Sequence, residues 1–292
     1  MLVEYRNGMG LLAVIGDPVA HSLSPLLHNT MIRALGRDDL YLAIPVKRGG
    51  LPDFIRAART IGITGFNLTM PHKVDVLSLL AEMTPEARRA GSVNSVRIRE
   101  DRLEGHSTDG MGLRRALQDL GRDFPGQTVT ILGAGGAARS VAMTAVDSGA
   151  RQVRVVNRTP EKAEALCAGE PSMQAFSVER AELAVQDTDI LINTTPVGME
   201  GAGETGAFPF LPALKPGALA MDCIYAPAMT PFMEAAKALG HPVANGIGML
   251  VYQAVYAYAF FRDLDFDGET VSRLGGLLLD ASGVDPRGIG TH

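Results

Sequence analysis

The sequence predicts an α/β protein of two domains, each with an open, mainly parallel sheet. Short β-like runs alternate with helical patterns almost from end to end, as expected of parallel strands joined by crossover helices. The 292 residues are enough for about two domains, at roughly 100 to 200 residues each. Residues 121–127 are polar and contain two glycines and a proline, so they are the best candidate for the boundary.

The first series opens with a strand at residues 11–15 and a helix that begins at Ser24 and Pro25. Serine at the N-cap, proline at the first helical position and Gly36 at the end are the usual helix signals. The same patterns predict strands at 41–46 and 63–68, helices at 51–61 and 73–80, a hairpin of 92–98 with 102–106 around Glu100 and Asp101, and a helix from Thr108 or Asp109 to about Leu120.

A second series starts at Thr128. Thr230 and Pro231 open a helix that extends to about residue 239, and residues 248–261 form a long apolar helix interrupted by Gln253. That apolar run is shorter than the roughly 20 residues that span a bilayer. The other predicted elements are strands at 128–132, 152–156, 190–193, 218–222 and 242–245, and a last helix at 268–279.

Composition excludes several classes of protein. A chain with 46% hydrophobic and 20% charged residues folds rather than staying disordered. There are 27 Lys and Arg against 32 Asp and Glu without a basic run, which excludes nucleic-acid and polybasic membrane binding. Cys167, Cys223 and the six histidines have no disulfide or metal-site spacing. We expect a cytoplasmic protein, because no signal-peptide core is present. We also expect a monomer or a homodimer.

The strongest motif lies between the strand at 128–132 and the next helix, where the run Gly133-Ala134-Gly135-Gly136-Ala137-Ala138 fits G-x-G-x-x-A. Gly133 permits a tight turn, Gly135 lets the backbone approach a pyrophosphate, and Ala138 allows close packing of helix on strand. The helix N-terminus adds amide donors and a positive dipole. Because strand, helix and next strand are in place, the motif predicts a Rossmann-type dinucleotide site, the alternative being a merely glycine-rich turn.

The end of the next strand indicates which dinucleotide binds. An acidic residue there would bond the ribose 2′-hydroxyl of NAD, but this chain has Asn157, Arg158 and Thr159. Arg158 can hold a 2′-phosphate through charge-assisted hydrogen bonds, and its neighbours can add further bonds. These residues therefore favour NADP. Thr159 could also serve only as the cap of the helix that starts at Pro160, and both roles are compatible.

Four loops at predicted strand ends are rich in neutral polar residues: 21–25, 67–73, 91–95 and 108–110. Ligands of open α/β sheets bind beyond the carboxyl ends of the strands. Hydroxyls, amides, one lysine and one carboxylate suit a small polyhydroxylated substrate. The chain has no nucleophile, base and acid in the order of a hydrolase.

These loops and the glycine motif resemble the shikimate dehydrogenase family, as do residues 193–199, 222–225 and 248–250 with Gln253. The resemblance runs from about residue 14 to about residue 260. It implies the reversible NADPH-dependent reduction of 3-dehydroshikimate to shikimate, in the biosynthesis of chorismate and aromatic amino acids. It also implies a substrate domain at 1–112, completed by helices within 247–292, and an NADP-binding domain at 113–246.

The resemblance implies roles for individual residues. Lys73 and Asp109 resemble the catalytic acid–base pair, and Ser22 and Ser24 resemble serines that bind the substrate carboxylate. The remaining implied ligands of the substrate are Asn67, Thr69, Asn94, Asp109, Tyr225 and Gln253. Thr194, Gly246 and Met249 join the glycine-motif residues and Asn157, Arg158 and Thr159 at the cofactor. The structural alternatives are an N-cap for Ser24, a turn for Asn94, a core amide for Gln253 and a solvated surface lysine for Lys73.

Two features depart from the family pattern. Ser107 occupies a position where the family usually has asparagine, and the chain contains no tryptophan. The reaction type is unaffected, but a quinate or shikimate dehydrogenase that uses NAD or NADP remains an alternative. A non-catalytic NADPH-binding homologue is the other alternative, and the presence of both Lys73 and Asp109 counts against it.

Overall fold

The computed structural model describes residues 9–100, 102–199 and 206–288. The chain divides into two units. The first contains the described residues up to Gly112 together with Leu250–Ser282, and the second contains Leu113–Met249 and the described residues after Ser282. The sequence pattern assigns everything after residue 246 to the first domain, whereas residues 247–249 and those after 282 group with the second unit. The binding function of each domain stays a prediction.

The first unit contains a mixed sheet with the strand order β2-β1-β3-β5-β6-β4. Its strands are β1 (Gly10–Gly16), β2 (Asp39–Pro45), β3 (Ile63–Leu68), β4 (Glu82–Met83), β5 (Ser95–Arg99) and β6 (Arg102–His106). Strand β1 runs parallel to β2 and β3, and β4 runs parallel to β6. The hairpin strand β5 is antiparallel to both β3 and β6. The parallel pairs bring the carboxyl ends of β1 and β3 to one edge of the sheet.

The second unit contains an entirely parallel sheet in the order β12-β11-β10-β7-β8-β9. Its strands are β7 (Thr128–Leu132), β8 (Gln152–Asn157), β9 (Met173–Ser177), β10 (Ile190–Asn193), β11 (Leu219–Asp222) and β12 (Val243–Ala244). All residues of β7 are buried, as expected of a strand covered on both faces. Read from β9, the order 3-2-1-4-5-6 is that of a Rossmann sheet, which confirms the predicted fold class.

Helices α1 to α9 connect the strands, and α10 and α11 follow the last strand. Their bounds are α1 (Ser24–Ala34), α2 (Leu51–Ile61), α3 (His72–Asp75), α4 (Pro85–Ala90), α5 (Asp109–Asp119), α6 (Gly136–Asp147), α7 (Pro160–Cys167), α8 (Ala181–Val185), α9 (Pro231–Ala238), α10 (Ile247–Arg262) and α11 (Gly268–Ser282). Helix α2 buries Leu51, Phe54, Ile55 and Ala58, one stripe at helical spacing. Phe54 meets Phe66 of β3 edge to face at 5.1 Å between ring centroids. Burial of each large side chain contributes roughly 1.5 to 3 kcal/mol.

Helix α1 differs from the prediction at its first residue. Leu23, not Ser24, occupies the N-cap, and no side chain caps the helix there. The backbone N–H of Ser24 instead donates to Ser22 Oγ at 3.2 Å, so the cap hypothesis for Ser24 was wrong. Gly36 follows the helix with a φ of 62°, as the predicted stop signal requires.

The hairpin and the segment after β3 also differ locally. Strand β5 starts at Ser95, three residues later than predicted, because the N–H of Val93 donates to the carbonyl of Lys73 at 2.9 Å instead of to a strand. The predicted helix at 73–80 is a short α-helix at His72–Asp75 followed by a 3₁₀ turn at Val76–Leu79. Of the predicted turn residues, Glu100 has a φ of 45°, and Asp101 lies outside the described residues.

Buried charges attach α10 to the sheet of the first unit. Asp39 Oδ2 accepts hydrogen bonds from the Tyr258 hydroxyl at 2.7 Å and from Arg262 Nε at 2.9 Å. Arg97 of β5 donates from Nη1 to the carbonyl of Phe260 at 2.9 Å, and from Nε to Glu104 at 3.1 Å. These bonds explain why the C-terminal helices belong with the first sheet.

A buried histidine and asparagine of α1 hold Tyr41 of β2. The His28 ring stacks on the Tyr41 ring with 3.9 Å between centroids and 4° between planes. Neither ring nitrogen of His28 has a hydrogen-bond partner among the described residues. The neighbouring Asn29 donates to the Tyr41 carbonyl at 2.8 Å and accepts from the Tyr41 N–H at 3.0 Å. Tyr41 is therefore fixed through both its ring and its backbone.

Within the described ranges, no helix combines the length and the apolar character that crossing a membrane requires.

The burial of His28 predicts a pH-dependent stability. Burial lowers the pKa of His28 from 6.5 to about 3, so the unfolded chain binds a proton that the folded chain excludes. This contribution to the free energy of unfolding is fully present above about pH 6.5 and falls as pH drops toward 3, by up to about 1.4 kcal/mol per pH unit. We expect His28→Leu to flatten the dependence between pH 4 and 6 in urea unfolding followed by circular dichroism. The exposed His21→Leu serves as control, and equal slopes for wild type and His28→Leu would contradict the assignment.

Candidate active site

A lysine and a carboxylate form an ion pair in the first unit. Lys73 Nζ of α3 lies 2.5 Å from Asp109 Oδ2, and the two side chains are 18% and 5% exposed. Asp109 is the first residue of α5, where the helix dipole favours a negative charge. The largely buried lysine excludes the alternative of a solvated surface side chain. The pair can transfer a proton to or from an oxygen that approaches Nζ.

Backbone bonds hold Lys73 in this position. The N–H of Thr69 donates to the carbonyl of Ile15 at 2.9 Å, at the carboxyl end of β1. His72 is fully buried and its Nε2 lies 2.7 Å from the carbonyl of Val46. The carbonyl of Lys73 itself accepts from the N–H of Val93. The lysine therefore follows a loop that is anchored on both sides, although the loop has little regular structure.

Asn94 connects the ion pair to the rest of the unit and is 2% exposed. Its Nδ2 donates to Thr108 Oγ1 and to Asp109 Oδ1, both at 2.9 Å, and lies 3.2 Å from Gln253 Oε1. Its Oδ1 accepts from the N–H of Thr108 at 2.8 Å. Asn94 thus holds the carboxylate oxygen that does not face the lysine, and its bonds go well beyond those of a turn residue.

Asn67 at the end of β3 extends this cluster. Its Nδ2 donates to the carbonyl of Asn94 at 3.0 Å and to Ser95 Oγ at 2.9 Å. Its Oδ1 accepts from the Tyr41 hydroxyl at 2.7 Å. The side chains of Lys73, Asp109, Asn94, Asn67 and Gln253 therefore form one network of polar contacts, made of neutral amides around a single ion pair. Thr108, which lies in one of the predicted polar loops, and Tyr41, which was predicted only as part of a strand, belong to it as well.

The other predicted substrate residues are spread over other elements. Ser22 and Ser24 form their own pair at the start of α1. Thr69 is in the anchored loop, and Ser107, which departs from the family pattern, is buried between β6 and α5. Tyr225 belongs to the second unit.

In the second unit, the glycine motif forms the turn from β7 to α6. Gly133 has a φ of 108°, and a Cβ there would lie 2.7 Å from Thr194 Oγ1, so only glycine fits. A Cβ at Gly135, the N-cap of α6, would meet nothing within 4 Å. Open space in front of a twelve-residue helix, with backbone donors at its start, fits the pyrophosphate of a dinucleotide.

The residues predicted to bind the 2′-phosphate lie at the end of β8 and directly after it. Arg158 and Thr159 are exposed, and Asn157 Nδ2 donates to the carbonyl of Thr159 at 2.8 Å. Thr159 occupies the N-cap of α7, but its side chain makes no capping bond. The position of the predicted cap is thus correct, while the hydroxyl is not used for capping.

The remaining predicted cofactor residues lie after β10 (Thr194), after β12 (Gly246) and in α10 (Met249). Thr194 Oγ1 donates to the carbonyl of Leu132 at 2.7 Å, next to the glycine turn. The N–H of Gly246 donates to the carbonyl of Ile224 at 2.9 Å, and a Cβ at Gly246 would lie 2.0 Å from the carbonyl oxygen of Cys223. Met249 is buried in the first turn of α10.

The last residue of β11, Asp222, is a buried carboxylate in one of the segments that resemble the family, and no individual role was predicted for it. Asp222 accepts hydrogen bonds from Asn193 Nδ2 at 3.1 Å, the N–H of Ile224 at 3.0 Å and the Thr230 hydroxyl at 2.7 Å. Burial raises the pKa of Asp222 to about 6, against the lowering effect of these three neutral donors. Asn193 in turn accepts from the N–H of Thr195 at 3.1 Å. The carboxylate therefore links the loop after β10 to the loop after β11. The two loops lie side by side because β10 and β11 are parallel, with Asn193 opposite Asp222.

Comparison with known proteins agrees with this geometry. Two family models match the chain, the shikimate dehydrogenase substrate binding domain over residues 14–96 and shikimate / quinate 5-dehydrogenase over residues 115–198. The curated shikimate dehydrogenase (NADP(+)) of Citrifermentans bemidjiense is 42% identical over 254 residues, 84% of this chain and 87% of that protein.

Two solved structures illustrate the range of similar proteins. Shikimate 5-dehydrogenase from Thermus thermophilus, in complex with NADP(H) and shikimate, is 36% identical with a TM-score of 0.80, covering 94% of this chain and 100% of that one. The ligand-free form of 5-ketofructose reductase from a Gluconobacter species is 32% identical with a TM-score of 0.76, covering 93% and 98%. On this evidence the chain belongs to the shikimate dehydrogenase family.

Proposed function

We propose that the chain is an NADP-dependent shikimate dehydrogenase, which reduces 3-dehydroshikimate to shikimate reversibly in the biosynthesis of chorismate. The observation that carries the proposal is the Lys73–Asp109 pair, 2.5 Å between Nζ and Oδ2, set among buried neutral amides. Support also comes from the curated relative, which carries that activity in its name and aligns with 84% of this chain.

The first unit has the chemistry that a small polyhydroxylated acid requires. Amide and hydroxyl groups of Asn67, Thr69, Asn94 and Gln253 can exchange hydrogen bonds with ring hydroxyls. Ser22 and Ser24 lie at the start of α1, where hydroxyls and helix N–H groups suit a carboxylate. We assign substrate binding to this unit and include Tyr225 of the second unit among the substrate residues.

The second unit would hold the cofactor. NADP(H), when bound, supplies or accepts the hydride. The turn of Gly133, Ala134, Gly135, Gly136 and Ala137 would bind the pyrophosphate, and Asn157, Arg158 and Thr159 the 2′-phosphate. Thr194, Gly246 and Met249 are the remaining residues that would bind the cofactor. Arg158 and the absence of an acidic residue at 157–159 favour NADP over NAD.

Lys73 is the group that moves the proton. In reduction, the ring carbonyl carbon gains a hydride and its oxygen gains a proton from Lys73 Nζ, which leaves a neutral amine and a hydroxyl product. In oxidation, Nζ takes the proton from that hydroxyl. Asp109 holds Nζ through Oδ2, while its Oδ1 is held by Asn94 at 2.9 Å. The carboxylate thereby orients the lysine and stabilises its protonated form.

A matrix of assays tests the proposal and its alternatives. Absorbance of reduced nicotinamide would be followed with shikimate, quinate or 5-ketofructose and with each of NADP and NAD. We expect the highest kcat/KM for shikimate with NADP. A preference for quinate or 5-ketofructose would reassign the substrate, and tight NADPH binding without turnover would identify a non-catalytic homologue.

A cytoplasmic location and a monomeric or homodimeric state are also part of the proposal.

Replacement of Lys73 tests its catalytic role. We expect Lys73→Ala to lower kcat by roughly 100-fold to 10,000-fold while the KM for shikimate changes much less, the usual effect of losing a positioned proton donor. Steady-state kinetics of purified protein provide the measurement. Lys47→Ala removes an exposed lysine of the same unit and is the matched control. Turnover at the wild-type rate in Lys73→Ala would refute the assignment.

Replacement of Arg158 tests the choice of cofactor. We expect Arg158→Ala to raise the KM for NADPH by roughly 10-fold or more, the effect of one lost charged hydrogen bond, with little effect on the KM for NADH. Arg151→Ala removes an arginine near the opposite end of β8 and should alter neither KM. Equal changes in both KM values would show that Arg158 does not read the 2′-phosphate.

A further inference from the structure

Tyr41 of β2 is held more firmly than its place in the core requires. It is 1% exposed, its ring stacks on His28, and Asn29 bonds to both its N–H and its carbonyl. Burial raises the pKa of Tyr41 well above its usual value, so the hydroxyl keeps its proton at any working pH. A buried hydroxyl in a fixed ring is a donor with a single direction.

The acceptor of that donor is Asn67, a predicted substrate ligand. The Tyr41 hydroxyl donates to Asn67 Oδ1 at 2.7 Å and so occupies one of the two lone pairs of that oxygen. The opposite end, Nδ2, spends its two hydrogens on the carbonyl of Asn94 and on Ser95 Oγ, at 3.0 Å and 2.9 Å. What remains for a ligand is one lone pair on Oδ1.

We propose that Tyr41 is a positioning residue for the substrate, which acts by holding Asn67 Oδ1 so that its remaining lone pair is fixed as a hydrogen-bond acceptor. This inference rests on the proposed function. An acceptor can bind a ring hydroxyl, but it cannot bind the carbonyl of the oxidised substrate. Asn67 therefore binds a ring hydroxyl that does not react, and the reacting oxygen is left to Lys73. These two contacts together limit how the substrate ring can be oriented.

The chain offers a matched control for this role. Tyr258 is also a buried tyrosine of the first unit, and its hydroxyl donates at 2.7 Å to Asp39, outside the network around Lys73. Tyr41→Phe and Tyr258→Phe each remove one buried hydroxyl and keep the ring. A merely structural role of the hydroxyl would affect both variants alike, through their melting temperatures and active fractions.

The first experiment is steady-state kinetics of the two variants. We expect Tyr41→Phe to raise the KM for shikimate roughly 3-fold to 10-fold, the range of one neutral hydrogen bond, with the KM for NADP unchanged. Tyr258→Phe should leave both KM values unchanged. Adding Tyr41→Phe to Asn67→Leu, which has no acceptor for the hydroxyl, should cause no further rise in the KM, because the effect passes through the Asn67 side chain. An unchanged KM in Tyr41→Phe, or an equal rise in Tyr258→Phe, would overturn the proposal.

A second experiment needs no activity, so it separates this inference from the proposed function. The side-chain amide signal of Asn67 in the nitrogen-15 NMR spectrum is assigned by its loss in Asn67→Asp. We expect slow exchange of its hydrogens with solvent in the wild type and in Tyr258→Phe, and faster exchange in Tyr41→Phe. Equal exchange in all three would overturn the role of Tyr41 even if shikimate is oxidised, and the expected pattern would support it even if shikimate is not the substrate.

Discussion

The first unit depends on the requirement that the buried amide of Asn94 be satisfied. A buried polar group left without a partner costs roughly 1 to 3 kcal/mol. The partners of Asn94 come from the residues around the start of α5 and from α10, far apart in the chain, so the amide can be satisfied only when these segments meet. The same bonds leave Asp109 with one oxygen for Asn94 and one for Lys73. The bonds that satisfy Asn94 therefore also orient the ion pair.

The two units hold a buried carboxylate in different ways. Asp109 has a lysine beside it, whereas Asp222 is surrounded by an amide, a backbone N–H and a hydroxyl, all neutral. Three neutral donors do not offset the cost of burial, and the pKa of Asp222 stays raised at about 6. The first arrangement suits transfer of a proton, and the second suits joining two loops.

Sequence patterns predicted the fold class well because strand and helix signals are local. The glycine turn was predictable for the same reason: six consecutive residues carry both the positive φ of Gly133 and the start of α6. The hydrogen bonds of Asn94 were not predictable, since its partners are 14, 15 and 159 residues away and no local sequence pattern indicates them. Ser24 failed as a cap because the helix begins one residue earlier than predicted, with Leu23 at the N-cap and Ser24 in the first turn. Tyr41 was not predicted because a buried tyrosine has no distinguishing spacing. Residues 222–225 matched the family pattern, but the bonds of Asp222 to Asn193 and Thr230, 29 and 8 residues away, could not be predicted from it.

The bonds of Asn29 to Tyr41 have a consequence for how copies of the chain behave toward one another. Strand β2 is an outer strand of its sheet, and a long, apolar outer strand is a template on which a foreign strand can add. Leu42 and Ala43 are exposed on it, which would make such growth easy. The side-chain amide of Asn29 bonds to the N–H and the carbonyl of Tyr41, near the middle of the strand, in the way that the peptide groups of a neighbouring strand would. The residue that steadies the tyrosine thus also covers one N–H and one carbonyl with which an added strand would have to pair.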